Sequence, residues 1–248
     1  MMLLLSYGYG TERLSLNLTG TQGILLIALF GIMILGLIAQ SKVATTFKKY
    51  SGTRAECGLS AAQVAEALLR SNGCSARIQQ IRGSLTDNYN PQTGLVSLSE
   101  TVYPSPSISA IAVAAHECGH VMQYEKGYAA IRFRNALLPA ANIGSHFSYL
   151  LVIAGLFLGK LGYTVSLIGV ALFAVVFLFQ LLTLPVELNA SSRAISMLVS
   201  GGYIRGREEE AAARKVLRAA AFTYVVAVLS AAVSLLRLFA IANSGRRR

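Results

Sequence analysis

Long uncharged apolar runs alternate along this chain with stretches in which apolar residues recur at helical or strand spacing. Residues 23–39 carry no charge and are just long enough to cross a bilayer as a helix. The basic cluster Lys42, Lys48, Lys49 and Arg54 behind them reads as a cytoplasmic anchor for a retained span rather than the end of a cleaved leader. Residues 136–159 and 164–184 form two further apolar segments joined by a turn at 160–163, which predicts a transmembrane hairpin. A last apolar helix is expected over 219–241. Between the first and second spans the composition changes to that of a small folded domain. Residues 60–70 have the apolar spacing of an amphipathic helix, with Ser60 as N-cap and Gly73 as stop. Residues 77–82, 85–90 and 95–99 are strand-like and separated by polar turns. Residues 107–124, rich in Ala, Ile and Val and free of proline, predict one continuous helix capped by Ser107 or Ser109.

The expected fold is therefore a mainly α membrane protein, with about four transmembrane helices and a small α+β domain between the first and second. The division runs as an N-terminal segment with the first span (1–42), the α+β domain (43–135), the transmembrane hairpin (136–184), a segment opening on a helix with Pro185 in its first turn (185–218), and a final span with a basic tail (219–248).

Composition narrows the function classes. With 54% hydrophobic and 13% charged residues among 248, the chain is too apolar for an ordinary soluble enzyme. The net charge of +11 is accounted for by bases flanking the spans, and with no Trp and no basic stripe interleaved with aromatics, nucleic acid is excluded as a partner. Cys57, Cys74 and Cys118 are odd in number and form no C-x-x-C, so neither a disulfide framework nor a cysteine metal site is indicated. Asn17 opens an N-x-T glycosylation acceptor that is read as incidental.

The chemistry-bearing feature is His116, Glu117 and His120, an H-E-x-x-H pattern on the helix expected over 107–124. At i and i+4 the two imidazoles share a face and can supply two corners of a tetrahedral zinc site that stays open to a third protein ligand and water. A carboxylate at Glu117 flanks that water and can act as its base. The chain has three histidines, and two fall at this spacing. Gly119, Ala114 and Ala115 are small enough to let a neighbouring backbone approach, while Cys118 points away from the histidine face and is read as packing. The extended pattern with a third histidine fails, because Gln123 and Lys126 stand where it needs glycine and histidine. A glutamate on a second helix is the alternative. Glu187, just after Pro185 at the membrane boundary on the motif's side, is the best candidate, with His146 as a rival better explained by a single hydrogen bond.

Residues 85–103, the run from Ala114 to His120 and residues 184–194 together resemble the membrane zinc metallopeptidases of the YugP type over essentially the whole chain. The resemblance implies one Zn²⁺ per chain held by His116, His120 and Glu187, with Glu117 as general base. The chain is more distantly similar to the HtpX and prenyl-protease group, whose third ligand lies in an E-x-x-A-D pattern. Here Glu187 and Ala190 keep the first part and Ser191 replaces the aspartate, a weaker support for a ligand histidine.

The functional expectation is a multi-pass protein of the bacterial plasma membrane that cleaves a peptide or protein substrate on the cytoplasmic face. Residues 95–99, as an edge strand, would align the substrate, and Arg193 or Tyr203 would stabilise the transition state. A non-catalytic metal-binding scaffold is the alternative. A transporter is disfavoured by the few charges within the spans and the lack of an internal repeat.

Overall fold

The computed structural model describes residues 20–245; Arg13, the Asn17 acceptor and the tail from Arg246 to Arg248 lie outside the described residues. Four helices are long and apolar enough to cross a membrane: α1 (Thr21–Ser51), α4 (Ala129–Gly155), α5 (Gly162–Ser200) and α6 (Gly206–Gly245). Between α1 and α4 lie α2 (Ala61–Ser71), β1 (Arg77–Ile81), β2 (Asn88–Asn90), β3 (Leu95–Ser99) and α3 (Ile108–Glu125).

The hairpin of α4 and α5 turns through a short 3₁₀ segment, Gly159–Leu161, and is zipped by small residues. A methyl group at Gly144 would sit 2.5 Å from the carbonyl oxygen of Leu172, and one at Gly169 would sit 2.7 Å from that of Ser148. In apolar surroundings such close backbone approach substitutes for the hydrophobic drive that packs helices in water.

Two expected boundaries fall inside continuous helices. Pro185 does not open a new helix; α5 runs through it for 39 residues, so Glu187 lies mid-helix and not at a helix N-terminus. Leaving out one backbone donor is tolerated where neighbouring helices and side chains support the chain. Likewise α6 is one 40-residue helix, about 60 Å long, and the polar segment and last apolar span are its two halves.

The domain core gathers Val64 and Leu68 of α2, Val96 and Leu98 of β3, Ile108 and Ile111 of α3, Leu198 of α5 and Ala213 of α6. Helix α2 forms because Ser60 and Gln63 close a capping box and its apolar residues fall on one stripe, which buries Ala61, Val64, Ala65, Leu68 and Leu69. Each of the larger side chains contributes about 1.5–3 kcal/mol on burial. The spans α5 and α6 therefore continue past the apolar zone to become walls of the domain.

The sheet order is β1-β3-β2, with β3 parallel to β1 and antiparallel to β2. The strand at 95–99 is thus central, not an edge. Val96 faces Ile78 on one side and Tyr89 on the other, so no side of β3 is free to take up a substrate strand.

Candidate metal centre

Helix α3 starts where the Ser107 hydroxyl accepts a hydrogen bond from the Ala110 amide at 3.3 Å, and it runs unbroken through both histidines. One turn apart, their rings meet edge to face with centroids 4.8 Å apart. Helix α5 crosses α3 at Gly119, where an added methyl group would lie 2.5 Å from the carbonyl oxygen of Ala190. That contact sets Glu187, one turn earlier on α5, over the histidine pair. Its Oε2 lies 3.2 Å from His116 Nε2 and 3.5 Å from His120 Nε2.

These spacings can be tested against a metal. Zinc bonds of about 2.0–2.1 Å in tetrahedral geometry place neighbouring ligand atoms about 3.3–3.4 Å apart. The two histidine–Glu187 distances match that spacing, all three donor atoms lie within 4.8 Å of one another, and two imidazoles with one carboxylate are the donor set of an open zinc site. The residues present fit the ion.

The outer nitrogens of both imidazoles are engaged. His120 Nδ1 lies 3.0 Å from Gln123 Oε1, while Gln123 Nε2 donates to the Val186 carbonyl at 2.7 Å and to Asn189 Oδ1 at 3.1 Å. With both amide hydrogens spent on acceptors, Gln123 offers His120 only an oxygen. His120 therefore carries a proton on Nδ1, and in its neutral form the Nε2 lone pair is the one available to an ion. His116 Nδ1 lies 3.2 Å from Ser191 Oγ, so the hydroxyl meets the outer nitrogen of that ring. Sequence reasoning recorded Gln123 only as a missing glycine. The available signal was its place at i+3 from His120, on the ligand face of an otherwise apolar helix.

Two of the three donors, His116 and Glu187, line a cavity of about 210 Å³. Glu117 and Asp87 line it, together with Val43 and Phe47 of α1, Leu85, Val113, and Leu217, Ala220, Ala221 and Tyr224 of α6. Burial pushes the Glu117 carboxyl above its ordinary value, with His116 and His120 pulling the other way. Burial also raises Asp87, opposed by hydrogen bonds from the Ser99 amide at 2.7 Å and the Ser99 hydroxyl at 3.1 Å.

Three other candidates lie elsewhere. His146 is exposed on α4, donating from Nδ1 to the Asn142 carbonyl at 2.7 Å, and is not among the grouped donors. Arg193 donates to Asn189 Oδ1 at 2.8 Å and stacks over Tyr128, behind Gln123 and away from the cavity. Tyr203 packs against the domain core beside Gly201. Neither Arg193 nor Tyr203 lines the cavity, and the expectation that one of them faces the reacting carbonyl is not met.

Among known proteins, residues 25–243 match a family described as "Putative neutral zinc metallopeptidase". The chain is also 44% identical over 209 residues to the "Putative membrane protease YugP" of Bacillus subtilis (strain 168), covering 84% of this chain and 92% of that protein. No solved structure matches. With four apolar helices and a membrane protease as relative, this is a membrane protein, and a match spanning nearly its whole length means that the chain belongs to the neutral zinc metallopeptidase family.

Proposed function

We propose that this protein is a membrane-embedded zinc endopeptidase in which His116, His120 and Glu187 hold the ion and Glu117 is the general base. One observation carries the reading: His116, His120 and Glu187 bring three donor atoms within 4.8 Å of one another, and His116 and Glu187 line a cavity that a buried, otherwise unused glutamate also lines. Zinc in such a site acts as a Lewis acid toward the scissile carbonyl and lowers the pKa of water to about 7. Glu117 accepts one proton from the attacking water and delivers it to the leaving nitrogen. Gln123 and Ser191 hold the histidine rings so that both Nε2 atoms face inward. The catalytic unit is residues 43–135 completed by α5. Because β3 is central, the strand that can align an extended substrate is β2, at the sheet edge and following directly on Asp87 in the cavity wall.

The same reading puts the site on the cytoplasmic face. Lys42, Lys48, Lys49, Arg132, Arg134, Arg205, Arg207, Arg214, Lys215 and Arg218 cluster at the motif ends of the helices, and among the described residues they outnumber Lys160 and Arg237 at the other ends. The test is metal content of the detergent-purified protein together with cleavage of an apolar peptide library. Wild type should carry about one zinc per chain, Glu187→Ala should lose it, and Glu117→Gln should keep zinc but lose at least 10²-fold in turnover. Equal cleavage by wild type and Glu117→Gln overturns the assignment of the base. Zinc binding with no cleavage of any peptide leaves the metal-binding scaffold instead.

A further inference from the structure

Hydrolysis by this site requires a donor for the carbonyl oxygen as negative charge builds on it, and among the described residues the cavity wall offers few. Its polar members are Asp87, His116, Glu117, Glu187, Ser191 and Tyr224. The three carboxylates are acceptors when ionised. The imidazole His116 is taken at Nε2 by the Glu187 side and at Nδ1 by Ser191, and Ser191 sits behind that ring, on the side away from the ligand nitrogens. Tyr224 remains. It comes from α6, where Leu217, Ala220, Ala221 and Tyr224 at i, i+3, i+4 and i+7 turn one stripe to the cavity. It lines the same cavity as His116 and Glu187.

We propose that Tyr224 is a catalytic residue of this protein, its O–H donating to the oxygen of the scissile carbonyl as that oxygen becomes an oxyanion. The inference rests on the metallopeptidase reading and deepens it. In the step the water oxygen bonds to the carbonyl carbon, the carbon–nitrogen bond breaks, and one water proton passes through Glu117 to the nitrogen. Tyr224 lends its hydrogen bond and keeps its proton throughout. The last membrane span thereby acquires a chemical role: it carries across the bilayer boundary the one donor that α3 and α5 lack.

Tyr224→Phe deletes one oxygen and preserves the ring. Three quantities are compared with wild type: zinc affinity by competition with a chromophoric chelator, kcat and KM on a peptide that wild type cleaves, and the Kd of the phosphonamidate analogue of that peptide. The expected result is unchanged zinc affinity and KM, kcat lower by about 10²–10³-fold, and phosphonamidate affinity lower by a similar factor, as for loss of one oxyanion donor. Unchanged kcat overturns the proposal. Weaker zinc binding with unchanged kcat at saturating zinc also overturns it, making Tyr224 a positioning residue for Glu187. If zinc-loaded wild type cleaves no peptide, the peptidase reading falls first and this assignment with it, so the two failures are told apart by the wild-type arm.

Discussion

Both amide hydrogens of Gln123 go to oxygen acceptors, and Asn189, which takes one of them, is itself held by Arg193. This chain ties α3 to α5 and leaves His120 one available tautomer. Gln123→Ala removes the acceptor at Nδ1 without touching a ligand atom, and zinc affinity measured by chelator competition should fall 10–100-fold. Asp87 titrates in the same neighbourhood with a different consequence. Its folded-state pKa is raised, so the folded protein holds this proton more tightly than the unfolded chain. The associated stability is present below the ordinary carboxylate range and is lost as pH rises through the raised value. Asp87→Asn, which cannot ionise, should therefore gain in melting temperature relative to wild type as pH increases from 4 toward 7. A difference that does not vary with pH would contradict this. At this scale the histidine pair was legible because H-E-x-x-H has a fixed spacing along one helix, whereas Glu187 rested on its place after Pro185 and on the family resemblance. Asp87 and Tyr224 were not legible, because each meets the site only through the packing of separate elements, while Gln123 carried the signal of its i+3 spacing from His120.

A single crossing, α3 over α5, converts sequence spacing into a metal site, and it depends on the missing side chain at Gly119. A methyl group there would lie 2.5 Å from the Ala190 carbonyl oxygen, whereas one at Gly31 on α1 meets nothing within 4 Å. Gly119→Ala must push α5 away and with it Glu187. The expected outcome is loss of bound zinc and destabilisation of about 1–3 kcal/mol, against Gly31→Ala near neutral, followed by metal analysis and thermal melting. The same dependence explains what could be read at the level of elements. Helices α2 and α3 and the three strands were legible from capping residues and periodicity, since Ser60 and Ser107 do cap their helices. The extents of α5 and α6 were not. A fall in hydropathy after Leu184 marks where a helix leaves the apolar zone, not where it ends, and Pro185 looked like a start because its local preference is shared by helix first turns and supported helix interiors. The order of the strands was equally hidden. Placing β3 between β1 and β2 is a matter of long-range pairing, and all three strands carry similar local patterns.

The whole molecule joins a membrane bundle to a small domain without a flexible linker, because α1, α5 and α6 pass directly from one into the other. All three helices line the cavity: α1 with Phe47 near its end, α5 with Glu187 and α6 with Tyr224 near its middle. The cytoplasmic orientation proposed from the distribution of charge can be tested directly. Lys126, just after α3, and Lys160, in the turn between α4 and α5, are exposed at opposite ends of the α4 span. They report orientation if each is replaced by cysteine in a chain whose own Cys57, Cys74 and Cys118 are changed to alanine. The native thiols are poor reporters in any case, since Cys118 is buried and burial pushes Cys74 up to about 11, leaving little thiolate at neutral pH. In intact cells a membrane-impermeant maleimide should label Lys160→Cys several-fold faster than Lys126→Cys, and permeabilisation should bring the two together. Preferential labelling of Lys126→Cys in intact cells would turn the protein over, placing the metal site outside. In that case the bases on its domain would have to be explained by something other than the retention of positive charge on the cytoplasmic side.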